Sequence, residues 1–199
     1  YASNKLKADR EVVLEAVKQN GYALRSASKE LRADKEIVLE AIKRDGTNLE
    51  WASNELKADK EVVLSVIRKD VRALRFASNE LKADKEVVLA GIGKDSRSLL
   101  FASKELKNDR EFVLELIRKN GYALEFASDE LRADKEVVLE AVKQDDGRGT
   151  LSDSSVLAFA SEELCADKEV VLEAVKQNGN ALQDASDSIK VEIEKLLKV

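Results

Sequence analysis

The chain has no histidine, no proline and no methionine, and a single cysteine in 199 residues. Without histidine it lacks the usual acid–base group for neutral pH and the commonest metal ligand. With Cys165 alone there is no internal disulfide and no thiolate metal cluster. No run of about 18 apolar residues is present, so no transmembrane span and no membrane insertion are expected, and no targeting segment is visible. The net charge is −5, with acids and bases interspersed. That pattern favours solubility and gives no support for a nucleic-acid or anionic-membrane footprint, while the lone cysteine fits a reducing intracellular compartment. The chain opens at Tyr1-Ala2-Ser3, in mid-repeat and without an initiator methionine, so further residues are expected to precede it.

What is present is a repeat. Ala-Ser recurs at Ala2-Ser3, Ala27-Ser28, Ala52-Ser53, Ala77-Ser78, Ala102-Ser103, Ala127-Ser128, Ala160-Ser161 and Ala185-Ser186, with every interval 25 residues except one of 33. A second signature, acid-base-Glu followed by apolar residues, begins at Asp9, Asp34, Asp59, Asp84, Asp109, Asp134 and Asp167. Periodicity of this length marks a repeat architecture. In residues 22–46, Leu24, Ala27, Ser28 and Leu31 have the spacing of one face of a short helix. Asp34 then stands where an N-cap belongs, and Glu36 puts negative charge at the positive end of the next helix. Ile37, Val38, Leu39, Ala41 and Ile42 form an apolar arc near 200° wide at about 100° per residue, which needs neighbours on more than one side. Gly46, like Gly21, Gly121 and Gly179, is expected to end a helix in the left-handed conformation. Helices of about ten residues are marginal alone, and stacking copies supplies the missing core. The fold predicted is all-α: an α-solenoid of tandem 25-residue helix-turn-helix repeats, one array over residues 1–199 with about seven and a half units.

The segments Leu24 to Leu39 and Gly121-Tyr122-Ala123-Leu124 resemble the short repeats catalogued as domain of unknown function 4116, over nearly the whole chain. The resemblance implies tandem helical repeats and brings no catalytic motif. It leaves open that the array is the targeting part of a larger bacterial or protist enzyme.

Positions that differ between units are where a partner could be read. One column runs Tyr1, Ser26, Trp51, Phe76, Phe101, Phe126, Phe159, Asp184. It is either a stacking contact between units or an aromatic ridge lining a groove. The fourth unit has Ala90 and Gly93 where others carry Glu and Lys, Gly91 between them, and Leu100 beyond. This is either a docking patch or drift. Val71 and Ser96 replace the turn glycine, and those turns are expected to differ. An eight-residue insertion lies within residues 145–156. Asp145, Asp146 and Asp153 lack calcium-loop spacing, Gly147-Arg148-Gly149 lacks the context of a phosphate loop, and Ser152, Ser154 and Ser155 could be phosphorylated. Residues 184–199 read as an amphipathic helix covering the end of the stack. Glu136 and Glu140 belong to a solvated face.

The reading is a non-catalytic scaffold binding another protein or peptide, with no cofactor and no metal, and with candidate contacts Trp51, Phe76, Ala90, Gly93, Leu100, Phe101 and Phe126. The alternative is a helical-repeat RNA binder, which the mixed-sign column Arg25, Glu50, Arg75, Leu100, Glu125 disfavours.

Overall fold

The computed structural model describes residues 3–92, 97–145, 147 and 155–197, and every regular element among them is helical. The fold is a helical-repeat α-solenoid. The chain divides into two compact units, Tyr1–Gly91 with Phe101–Ser103, and Ile92–Leu100 with Lys104–Val199.

In the first unit the long helices are Arg10–Gln19, Lys35–Arg44, Lys60–Ile67 and Lys85–Gly91, each packed on the next. In the second they are Arg110–Lys119, Lys135–Lys143 and Lys168–Gln177, followed by Asp187–Leu197. Most of the expected apolar arc is the core: Ile37, Val38 and Ala41 have no exposure and Ile42 has 3%, while Leu39 is half-buried. Burying an aliphatic side chain of this size stabilises by about 1.5–3 kcal/mol. Adjacent copies supply the cover. Leu6 and Val12, in the first described copy, are 45% and 44% exposed, whereas their counterparts Leu31 and Ile37, packed on that copy, are 9% and 0%.

The first arm of the repeat is not one helix. Gly21–Ser26 is a 3-10 helix, Ala27 is extended (φ −68°, ψ 157°), and a separate turn follows Ser28. The spacing of Leu24, Ala27, Ser28 and Leu31 imitates a helical face because the two short pieces meet at this corner. The serine makes the break. Its hydroxyl accepts from the amide three residues on, as Ser53 does from Leu56 and Ser78 from Leu81. Its own amide donates across copies to a carbonyl 21 residues back: Ser28 to Lys7 at 2.8 Å, and Ser53 to Arg32, Ser78 to Lys57 and Ser103 to Lys82 at 2.9 Å each. In the second unit Ser128 donates to Lys107, Ser161 to Arg132 and Ser186 to Cys165. The eight-residue insertion stretches the sequence interval at Ser161 but leaves the bond in register. The alanine before most of these serines is buried.

The Asp-base-Glu signature also joins copies. Each aspartate caps its long helix as expected; Asp59 Oδ1 accepts from the amides of Glu61 and Val62. The other oxygen of Asp34, Asp59, Asp84, Asp134 and Asp167 takes the base of the preceding repeat, Lys135 in the last case. Lys35 Nζ reaches Asp59 at 2.9 Å and Glu61 at 3.0 Å, and Lys60 reaches Asp84 and Glu86 at 2.7 Å. Arg10 holds Asp34 and Glu36 in the first unit, and Arg110 holds Asp134 and Glu136 in the second. Hydrogen bonds from these bases hold the carboxyls of Asp59, Asp134 and Asp167 below the usual range. The same contacts raise the Lys35, Lys60 and Lys135 ammonium groups.

The two shifts predict the pH dependence of stability. A depressed folded carboxyl stabilises fully above its unfolded value, about 3.9, and loses this as pH falls through the folded value. A raised ammonium stabilises fully below its unfolded value, about 10.4, and loses this as pH rises through the folded value. Thermal scans followed by circular dichroism should therefore give a flat midpoint through neutral pH and a fall on both sides. Because the bases are exposed, added salt should lower the plateau only slightly.

The turn glycines are not left-handed. Among the described residues the only positive φ is at Gly147, at 68°. Asn20, Asp45 and Asn120 end their helices extended and cap the following 3-10 helix, as Asn20 Oδ1 does for the Tyr22 amide. Glycine follows because the next copy lies against it. A Cβ on Gly21 would stand 2.5 Å from the Ala41 carbonyl oxygen, and one on Gly46 2.8 Å from Val66 Cγ2. Both contacts fall on the residue 20 positions later. For Val71 that position is Gly91, buried like Val71 itself. The turn at Val71 has the same backbone as the others, with Asp70 at φ −140° and ψ 91°. It does not differ because no special φ was needed; Ser96 lies outside the described residues.

The terminal helix begins at Asp187, with Ala181–Asp184 a separate turn before it. Ile189 and Ile193 are buried, and Lys168 reaches Glu192 at 2.6 Å, so the helix occupies the place of a further long helix.

Candidate functional site

In the first unit the 3-10 helices Gly21–Ser26 and Gly46–Trp51 bring Tyr22, Arg25 and Trp51 together. Tyr22 and Trp51 meet edge to face, with centroids 6.0 Å apart and planes at 86°. The Arg25 guanidinium lies 5.5 Å from the Tyr22 ring centre and 5.1 Å from that of Trp51, and donates to the Tyr22 hydroxyl. Beside the rings is a cleft of about 330 Å³ whose lining includes Gln19, Arg44, Asp45 and Glu50. Tyr22 is 49% exposed. The arrangement is one of recognition: a fixed aromatic pair, one oriented cation and mixed polar groups in an open recess.

The second unit uses the same positions inwardly. Tyr122 packs edge to face on Phe159 with centroids 6.3 Å apart, but it is 8% exposed and its hydroxyl donates to Asp145 at 3.0 Å. Asp145, 5% exposed, also accepts from the Val156 amide at 2.9 Å and from Asn178 Nδ2 at 3.3 Å. It is a structural anchor for the return of the insertion. Asp184 is another, taking the amide and hydroxyl of Ser155 at 2.8 Å each. Asp146, Asp153, Arg148, Gly149, Ser152 and Ser154 lie outside the described residues. Among the described residues no group of three acids, cysteines or histidines could hold a metal ion.

The aromatic column is half-buried at Trp51, Phe76, Phe101, Phe126 and Phe159, while Ser26 is exposed. Trp51 and Phe159 each pack on the tyrosine of the preceding copy, which supports the stacking alternative, and Arg75 lies 5.8 Å from the Phe76 ring centre. Ala90 is half-buried in the first unit. Leu100 is 41% exposed in the second, where its carbonyl accepts from Lys107. Gly93 lies outside the described residues. The sequence reading named Trp51 but not Tyr22 or Arg25; the signal was that Tyr, Arg and Trp coincide at these positions in one place only.

Cys165 donates to the Leu157 carbonyl at 3.4 Å, and burial, then Asp184 and Glu162, push its thiol pKa up. A raised thiol is a poor nucleophile. Glu136 and Glu140 face Arg110 and Arg118.

Sequence comparison bears on the whole array. The profile of Domain of unknown function (DUF4116) matches residues 1–32, 34–82, 84–132, 109–147 and 134–190. The chain belongs to this family. No curated protein and no solved structure matches it. Within this DUF4116 array the matched segments contain both the Tyr22–Arg25–Trp51 cluster and its inward-turned counterpart at Tyr122. No helix among the described residues is long and apolar enough to cross a membrane.

Proposed function

We propose that this array is a non-catalytic scaffold whose variable positions bind another protein or a peptide. One observation carries the reading: the recurring serine amide and Asp-base-Glu groups are spent between copies, while the aromatic and arginine groups on the 3-10 helices differ from copy to copy. The recurring serine amide, aspartate cap and base each contact a neighbouring copy. The cluster of Tyr22, Arg25 and Trp51, by contrast, exists once, beside an open cleft. Aromatic and arginine side chains are the residues that carry most energy at protein interfaces. A solenoid presents such positions on an extended surface and needs no buried reaction chamber.

The test is affinity capture from the native source with the full chain, run beside a Tyr22→Ala/Arg25→Ala variant. Tyr22 and Arg25 are exposed, so the variant should keep its melting temperature. One reproducible protein retained by the parent and lost by the variant is the expected result. Retention of nothing above control, or substrate turnover by the chain alone, contradicts the proposal.

A further inference from the structure

The carbonyls that accept the serine amides belong, in the first unit, to Lys7, Arg32, Lys57 and Lys82, one cation per copy and each half-buried. The ladder bonds of 2.8–2.9 Å fix the spacing of this row from copy to copy. Position 25 of the repeat lies beside it. The second unit shows how, because Lys107 Nζ donates at 2.7 Å to the carbonyl of Leu100, seven residues earlier. In the first unit the residues seven earlier are Arg25, Glu50 and Arg75. These two repeat positions together contribute six cations and one carboxylate.

These cations differ from the bases of the Asp-base-Glu bridges. Arg10, Lys35 and Lys60 each hold two carboxylates, whereas among the described residues no carboxylate is paired with Arg32, Lys57 or Lys82. The Arg32 Nε atom is buried with no hydrogen-bond partner. Glu30, Glu55 and Glu80, in the same turns, are exposed and not bridged to these cations; Ser28 chiefly holds the Glu30 carboxyl low, and their own amides chiefly hold those of Glu55 and Glu80 low. Burial, then Arg75 and Lys57, push the Lys82 ammonium pKa down, as expected of a cation that lacks a counter-ion. The equivalent row in the second unit is answered internally. Lys107 is bound to Leu100, Arg132 pairs with Asp129 at 2.5 Å although its Nε, like that of Arg32, has no partner, and the next place is Cys165.

We infer that the row Lys7, Arg32, Lys57 and Lys82, flanked by Arg25 and Arg75, binds an extended carboxylate-rich peptide. The inference rests on the scaffold reading and names the chemistry of its partner. A single-stranded nucleic acid is the less suited polyanion, because its affinity draws on free ring faces for base stacking. Arg25 lies over Trp51 at 5.1 Å and Arg75 over Phe76 at 5.8 Å, so those faces are occupied.

The experiment is fluorescence polarisation of the full chain with a labelled glutamate-rich 12-residue peptide, beside a labelled oligouridylate of equal charge. Saturable peptide binding is expected, with an affinity drop of about tenfold in Lys57→Glu/Lys82→Glu and a similar drop between about 50 and about 300 mM salt. Arg118→Glu in the second unit should leave the affinity unchanged. If the double charge reversal unfolds, Lys57→Gln/Lys82→Gln serves instead, with a smaller drop in the same direction. No saturable peptide binding, equal loss in Arg118→Glu, or tighter binding of the oligouridylate overturns the inference. A protein captured by the Tyr22 and Arg25 surface without any peptide binding would leave the scaffold reading standing and remove this one alone.

Discussion

Ser78→Pro should destabilise the first unit by about 3 kcal/mol, whereas Ser78→Ala should cost about 1 kcal/mol. The backbone already suits proline. Ser78 has φ −62°, and Ala77 before it has φ −64° and ψ 161°, which is where a residue preceding proline is driven. The substitution therefore introduces no dihedral strain. It removes the amide that donates to the Lys57 carbonyl at 2.9 Å and puts a ring carbon in that short gap. It also removes the hydroxyl that accepts from the Leu81 amide at 3.3 Å. Alanine removes only the hydroxyl. The difference between the two variants isolates the bond between copies, and urea titration should show it as a lower midpoint with a broader transition for proline, because coupling between neighbours is what makes a repeat array unfold together. Equal destabilisation by the two variants would mean that the ladder bond contributes nothing beyond the cap.

Gly121→Ala should also destabilise, by about 2–3 kcal/mol, although it adds a single methyl group. The new carbon would stand 2.5 Å from the Ala141 carbonyl oxygen, a backbone atom that cannot rotate away, so the following long helix must shift. Gly179→Ala is the contrast. Nothing lies within 4 Å of a Cβ there, and its φ is not in the left-handed region. That variant should be neutral or more stable by up to about 1 kcal/mol, since alanine narrows the unfolded ensemble. Thermal midpoints of the pair, measured side by side, decide between close approach and a capping conformation as the reason for glycine. If the two substitutions act alike, close approach is not the reason.

The period, the aspartate caps and the apolar arc of Ile37, Val38, Ala41 and Ile42 were legible in the sequence because each depends on neighbours within one turn or one helix. Three features were not. The corner at Ala27-Ser28 hid behind a spacing that satisfies a helical face, since two short pieces meeting at a bend keep Leu24 and Leu31 on the same side. The glycines suggested a cap because the usual role of a glycine after a helix is local, whereas here the reason lies 20 residues downstream at Ala41, Val66 and Ala141. The bases of the Asp-base-Glu signature bind carboxylates 24 and 26 residues away, beyond any rule for contacts along one helix. Their recurrence beside every aspartate was the available signal.

The candidate surface was partly visible. Trp51 stood out in its column, and the structure adds Tyr22 and Arg25, which belong to the preceding copy and so to a different line of the repeat alignment. The mixed signs of Arg25, Glu50, Arg75, Leu100 and Glu125 conceal a positive half, because the first three fall in the first unit, beside Arg32, Lys57 and Lys82.

The serine-to-carbonyl bond has a consequence for how such chains change length. Donor and acceptor are both backbone atoms, so the junction is indifferent to which side chains the two copies carry. A copy duplicated or deleted whole leaves matching ends behind, and extra residues inside the span are tolerated when the bond re-forms beyond them, as the insertion between Arg132 and Ser161 shows. Arrays of this kind can thus be lengthened, shortened or shuffled by exchange of whole modules, with a working seam at every splice.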